Sequence, residues 1–274
     1  MSGFLDGMAR SSERRVREAL EREPLESLAA RAASRPAPPS LRLSGGFDVI
    51  AELKLRSPAY GALGREADDW LGRVRDYVRG GAAAVSVLTE PSRFDGSLDH
   101  LRMASAALAP LGVPCMRKDF LVDPYQVWEA RDAGAGGVLL IIRMLTPARL
   151  RLLLDCAAQC GLFVLLEAFD AADLELAAGL LGSRAQSRDQ VLVGINCRDL
   201  QSLQVVTSRF ESLAPLLPAG FAGVAESGIN DAADARRAAA LGFRLALVGS
   251  ALMSASDPAR LLGEMLAAAR TGSP

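Results

Sequence analysis

The feature that most constrains this chain is an alternation. From residue 48 onward, short aliphatic runs are each followed by a longer amphipathic stretch, eight times over. The runs read as strands at Val49–Lys54, Ala83–Leu88, Val113–Lys118, Gly137–Ile142, Phe163–Glu167, Val191–Asn196, Gly223–Glu226 and Leu245–Val248. The stretches between them read as helices at Asp68–Arg79, Leu98–Ala109, Pro124–Ala133, Pro147–Cys160, Ala171–Leu180, Thr207–Leu216, Asp231–Leu241 and Asp257–Ala269. Strict β–α alternation predicts a parallel sheet with helical crossovers. Eight units is the number that closes into a (βα)8 TIM barrel, whose usual length of roughly 250 residues suits this chain. The rival, an open doubly wound sheet, lacks its GxGxxG after the first strand. Proline opens helices at Pro124, Pro147 and Pro258, and Gly80, Gly134, Gly161 and Gly242 are expected as left-handed caps at helix ends. Residues 1–44 carry a helical stretch at Ser12–Glu23 and a Pro/Ala/Ser-rich passage at Arg35–Ser40. They are too short to bury a core of their own and are expected as a helical extension packed on a catalytic barrel of residues 45–274.

Composition removes several function classes. Against 32 acidic residues stand 31 basic ones, a net charge of −1, so no basic footprint marks a nucleic acid partner. No apolar run approaches the roughly 20 residues of a membrane span, and Met1–Arg10 lacks the apolar core of a signal peptide. The expected setting is cytoplasmic, without nucleic acid or membrane. Of the four cysteines, Cys156 and Cys160 are spaced to share a helix face. There is no second Cys pair, and the single histidine, His100, is read as a surface residue of another helix. Structural zinc takes about four ligands, so no metal site is expected and the thiols are read as reduced. Acid–base chemistry then falls to Lys, Glu, Asp, Tyr or Cys.

Lysine is rare here. Only Lys54 and Lys118 occur, so the other 29 of the 31 basic residues (31 − 2) are arginine. On a solvated surface arginine serves as well, but a guanidinium does not give up its proton, whereas an ammonium can be tuned to do so. Both lysines fall at the ends of expected strands, the first in Glu52-Leu53-Lys54 and the third in Lys118-Asp119. Glu167, Asn196 and Glu226 end the fifth, sixth and seventh strands. Barrel enzymes work at that face. Glu52 and Lys54, two residues apart, share one side of their strand. Glu226-Ser-Gly-Ile and Val248-Gly-Ser250 place small residues after strands seven and eight, the usual phosphate-binding arrangement of this fold.

A set of motifs then gives a specific resemblance. Val49-Ile-Ala-Glu-Leu-Lys54 with Ser57-Pro58, Ser86-Val-Leu-Thr-Glu-Pro91 with Phe94-Asp-Gly-Ser97, and Arg117-Lys-Asp-Phe120 resemble successive motifs of indole-3-glycerol phosphate synthases. Asp123-Pro-Tyr-Gln126, Val138-Leu-Leu-Ile141, Ile195-Asn-Cys-Arg-Asp-Leu200, Ala225-Glu-Ser-Gly-Ile229 and Val248-Gly-Ser-Ala-Leu-Met253 continue the likeness in order. The likeness spans roughly residues 48–260, and the N-terminal helical extension is similar too. It implies decarboxylative ring closure and dehydration of 1-(2-carboxyphenylamino)-1-deoxyribulose 5-phosphate, in tryptophan biosynthesis. It implies Lys118 as general acid at the ketone, and Lys54 as the carboxylate clamp that assists dehydration, held by Glu52. Glu167 becomes an acid–base carboxylate, with Asn196 and Glu226 orienting charge around the ring. Ser57, Pro58, Phe94, Phe120, Leu139, Arg198, Leu200, Ser227 and Leu247 are expected to contact substrate. Lys54, Gly228, Gly249 and Ser250 are expected at its phosphate.

The resemblance implies no cofactor, a small phosphorylated substrate as partner, and a monomer or weak homodimer. Three places depart from the commonest family pattern: Ala59-Tyr60-Gly61, the Ala-Phe169 that follows Glu167, and Cys197. Tyr60 and Phe169 are candidates for reshaping the rim, which leaves open a substituted substrate from a specialised pathway. Two alternatives have their own signatures. A phosphoribosylanthranilate isomerase places Cys at the end of the first strand, where this chain has Glu52-Leu-Lys54. A catalytically silent phosphate-binding barrel has no need to keep Lys118 or Glu167.

Overall fold

Strands built from β-branched and aliphatic residues with a period of two present opposite faces to opposite neighbours, and this chain uses both. The computed structural model describes residues 3–57, 61–62, 69–182, 191–199 and 202–271. Eight parallel strands form a closed barrel: β1 (Asp48–Leu53), β2 (Ala84–Leu88), β3 (Cys115–Lys118), β4 (Gly137–Ile141), β5 (Phe163–Ala168), β6 (Val191–Asn196), β7 (Ala222–Glu226) and β8 (Leu245–Val248). Each pairs with the next. The ring closes where β1 meets β8, with Asp48 opposite Leu245 and Ala51 opposite Val248. The strand boundaries lie within two residues of the expected ones.

Alternation divides the core in two. Val49, Ala51 and Leu53, with Val138, Leu140, Val164 and Leu166, point outward into the layer between strands and helices. Ile50, Met116, Leu139, Leu165, Leu192, Val224 and Leu245 fill the barrel axis. Following that inward stripe two residues at a time toward the strand ends leads from Ile50 to Glu52, Met116 to Lys118, Leu165 to Glu167 and Val224 to Glu226. The expected site residues Glu52, Lys118, Glu167 and Glu226 are thus the last inward layer of their strands, above an apolar axis. An antiparallel ribbon of Arg56–Ser57 with Gly61–Ala62 stands in the loop after β1.

The extension differs from expectation in extent. Helix α1 runs Gly3–Arg22, starting well before Ser12, and α2 runs Leu25–Ser34. Gly3, Gly7 and the charged residues weaken the local signal. What stabilises the first turns is tertiary: Leu5 and Met8 are buried with Phe120, Ile141 and Met144 at the barrel mouth. Further along, Val16 and Ala19 pack with Leu28 of α2 and with Tyr125. Arg31 and Arg35 of the α2 region bind the carboxylate of Asp132, which ends the barrel helix Pro124–Asp132.

Two smaller expectations are corrected. Gly134, Gly161 and Gly242 adopt left-handed φ as expected, but Gly80 stays right-handed at −74° and its neighbour Gly81 takes the turn at +98°. His100 is buried, not a surface residue; its ring meets Trp70 edge-on at 5.3 Å, so a residue that looked solvated is packed between two barrel helices. Among the described residues, no helix is long and apolar enough to cross a membrane, and no group of three or more His, Cys, Asp or Glu could hold a metal ion.

Candidate active site

The strand ends surround a cavity of about 340 Å³. Its polar floor is made by Glu52, Lys54, Lys118, Glu167, Asn196 and Glu226. Lys118 Nζ lies 3.1 Å from Glu167 Oε2 and 3.6 Å from Glu226 Oε2. Lys54 Nζ lies 2.8 Å from Glu52 Oε1. The two residues of the Glu52–Lys54 spacing therefore do share one face. Asn196 accepts the backbone N–H of Arg198 through Oδ1 at 2.9 Å, so its carbonyl end is spoken for and its amide end is left for the cavity.

Burial and charge set the protonation states. Burial alone acts to lower the Lys118 ammonium, but Glu167, then Glu226 and Glu52, outweigh it and hold its pKa above the ordinary lysine range. Burial acts to raise the Glu52 carboxyl, yet Lys54 and Lys118 reverse this and keep it below the ordinary range. Glu226 moves the other way. Burial first, and then the neighbouring Glu167 carboxylate, push it well above the ordinary range against the pull of Lys118. Neither Glu226 oxygen makes a well-formed hydrogen bond among the described residues. One ammonium thus faces two carboxyl groups, one of them, Glu226, biased toward its protonated form, an arrangement suited to moving protons.

Glycines make this crowding possible. Gly194 stands inward on β6, and a methyl there would overlap the Glu226 carboxylate. A methyl on Gly249 would meet Glu52 Oε1 at 2.5 Å and Lys54 Nζ at 3.2 Å. Sequence reading assigned Gly249 to phosphate alone and gave Gly194 no role. The paired carboxylates are the signal that could have explained both.

The remaining predicted residues divide cleanly. Phe94, Phe120, Leu139 and Leu247 line the apolar side of the cavity, with Phe94 and Phe120 rings 6.2 Å apart. Arg198, Ser227, Gly228, Gly249 and Ser250 line it as well. Arg198 donates to the Leu203 carbonyl at 2.9 Å, and Ser227 and Gly228 both turn with positive φ, +63° and +94°. Ser57 lies in the short ribbon, its side chain outside the described residues, as are Pro58, Leu200 and Tyr60. Phe169 does not line the cavity; it is buried in the same cluster as Phe120 and Met144, with the Arg143 guanidinium 4.7 Å from the centroid of its ring. Cys197 is wholly buried in the layer between strands and helices.

Sequence reading missed the wall contributed by α1. Phe4 and Leu5 line the cavity, and Phe4 packs edge-on against Phe120 at 5.9 Å. It also missed Leu203 and Val205 in the loop after β6, with Leu203 held at φ +60°.

The comparisons with known proteins agree with this geometry. The family model described as indole-3-glycerol phosphate synthase matches residues 5–265. The chain is 39% identical over 268 residues to indole-3-glycerol phosphate synthase 1 of Streptomyces coelicolor, covering 97% of this chain and 94% of that protein. It is 40% identical over 263 residues to indole-3-glycerol phosphate synthase of Leifsonia xyli, covering 96% and 95%. Among solved structures, 3-hexulose-6-phosphate synthase from Salmonella typhimurium superposes with a TM-score of 0.63 at 14% identity, covering 82% of this chain and 100% of that one. That last likeness speaks for the barrel alone. With its eight strands, its strand-end acids and amines, and a family match from the N-terminal helix to the last one, this chain belongs to the indole-3-glycerol phosphate synthase family.

Proposed function

We propose that the chain converts 1-(2-carboxyphenylamino)-1-deoxyribulose 5-phosphate to indole-3-glycerol phosphate, a lyase step of tryptophan biosynthesis. The carrying observation is Lys118 standing between Glu167 and Glu226 on the floor of a closed barrel. In this reading the ring carbon that bears the carboxylate attacks the ketone carbon, and Lys118 protonates the ketone oxygen as the carbon–carbon bond forms. Carbon dioxide leaves and restores the aromatic ring. The new hydroxyl then departs as water, with one proton delivered to it and one removed from the closing ring. Glu167, 3.1 Å from Lys118, is the partner that takes and returns protons.

Lys54 clamps the substrate carboxylate, reaches the phosphate side beside Gly249, and serves the dehydration, with Glu52 fixing its ammonium. Asn196 and Glu226 orient charge around the ring. Phe94, Phe120, Leu139 and Leu247, with Arg198 and Ser227, hold the ring and sugar chain, and Ser57, Pro58 and Leu200 complete that set. Gly228, Gly249 and Ser250 take the phosphate. We assign residues 1–44 to an extension of the catalytic barrel of 45–274, a small phosphorylated molecule as its partner, no cofactor, a monomeric or weakly dimeric state, and a cytoplasmic setting. Supplying the deoxyribulose phosphate and following indole fluorescence with carbon dioxide release tests the activity. Turnover is expected; folded protein that binds the substrate without converting it would make this a silent barrel.

A further inference from the structure

Glu167 is followed two residues later by a turn that is gripped from the neighbouring strand. Ile141, the last residue of β4, stands opposite Glu167 in the sheet. Two residues further on, in the turn Ile142–Met144, Arg143 reaches across to the exit of β5. Its Nε donates to Asp173 Oδ2 at 2.9 Å, and its Nη2 lies 2.7 Å from that same oxygen while also pairing with Asp170. The guanidinium lies 4.7 Å from the centroid of the Phe169 ring. Asp173 Oδ2 also accepts the Phe169 N–H at 2.8 Å, and Asp170 Oδ1 accepts the Asp173 N–H at 3.1 Å.

Each of these contacts falls where β5 passes into the helix Ala171–Gly182. Strand alternation turns Glu167 and Phe169 the same way and Ala168 the other, so a shift of the Phe169 backbone reaches Glu167 through a single residue. Burial acts to raise both aspartates. At Asp170 the Asp173 N–H and the Arg143 charge outweigh it and hold the carboxyl below the ordinary range. At the more deeply buried Asp173, burial prevails over the Phe169 N–H and Arg143, and the carboxyl stays above that range. Asp173 therefore leans on the guanidinium for its charge, and without it the two acids would repel. A planar fork pairs with carboxylates and stacks on a ring at once, which an ammonium does not.

We infer that Arg143 is a positioning residue for Glu167: from the end of β4 it fixes the turn after β5, and with it the reach of that carboxylate to Lys118. This role rests on the reading of Glu167 as the partner that takes and returns protons. Misplacing a reacting group by about 1 Å can cost about 100-fold in rate, so a partly loosened turn has a measurable signature. Arg143→Met keeps the stem and removes the fork. With substrate saturating and well below the melting temperature, kcat is expected to fall about tenfold, with KM held within about twofold. Arg143→Lys, which keeps the charge without the fork, is expected midway. The deciding measurement repeats Arg143→Met in a Glu167→Gln background, read as the rate of a single turnover. No further fall is expected there, because no proton-carrying carboxylate is left to aim. A further fall in that background, or an unchanged kcat with only a lower melting temperature, would overturn the proposal and leave Arg143 a structural brace. If Arg143→Met does not fold, Arg143→Lys and Asp170→Asn carry the same comparison. Failure of the underlying reading looks different: Glu167→Gln alone would then keep the parent rate, and the role of Arg143 would fall with it.

Discussion

At the scale of single residues, the two lysines carry the sharpest test. Lys118→Arg retains the positive charge beside Glu167 and Glu226 but supplies a poor proton donor. Loss of general-acid catalysis typically costs about 10²–10⁴-fold, and a fall of that size in kcat, with the fold intact by circular dichroism, is the expected outcome. A near-normal rate would remove the proton from Lys118. That these residues stand at the barrel mouth was legible from sequence because their placement is local: a strand alternates, so the residue two past an axis-filling aliphatic points into the mouth. What sequence could not show was the space around them. Gly194 and Gly249 are explained by carboxylates on neighbouring strands, a relation that exists only once β6 meets β7 and β1 meets β8. His100 was misread for the same reason, since it packs against Trp70 of the neighbouring barrel helix.

At the scale of elements, strands, barrel helices and the helical nature of the extension were legible, and the extent of its first helix was not. Proline and Asp, Ser or Thr caps punctuate the barrel helices, as in the capping box of Asp123 with Gln126. Helix α1 instead draws its first turns from contacts with residues more than a hundred positions away, which no local pattern encodes. The short helix Ser250–Ser254 shows the same dependence. Its Leu252 carbonyl and the Ala255 carbonyl after it both accept Arg73 Nη1, at 2.8 and 3.2 Å, and Met253 Sδ accepts the buried Tyr77 hydroxyl at 3.2 Å. A cation at the last carbonyls complements the helix dipole. Arg73→Met should leave those carbonyls to water and let the helix tilt. Because Gly249 and Ser250 open this element, the expectation is a several-fold higher KM with kcat held, together with melting lowered by a few degrees, about what a loss near 1 kcal/mol gives in a domain of this size. A change in kcat alone would place Arg73 elsewhere in the reaction.

At the scale of the whole molecule, the buried acids pull stability in opposite directions along the pH axis. Glu52 and Asp119 have lowered pKa values in the folded state. Their contribution is complete above the unfolded carboxylate range and is lost as pH falls below that range toward their folded values. Glu226 is raised, so its contribution is complete below that range and is lost as pH climbs toward its folded value. Glu226→Gln imitates the protonated acid and removes this second slope. Melting curves of parent and variant should run close together near pH 4 and separate toward neutrality, with the variant the more stable. A gap of constant size across that range would mean that Glu226 is already ionised in the fold.

The seam of the barrel has a consequence in time. Strand β1, which brings Glu52 and Lys54, emerges early in synthesis, yet the glycine turn that leaves room for their carboxylate and ammonium follows β8, the last strand made. Joining strands so distant along the chain closes the largest loop in the molecule, the costliest closure in chain entropy and among the slowest contacts to form. The Glu52–Lys54 corner therefore cannot exist on a nascent chain or on any fragment that stops short of β8. Until that final strand docks, the two charges stay in water, and the site is assembled by the same event that finishes the fold.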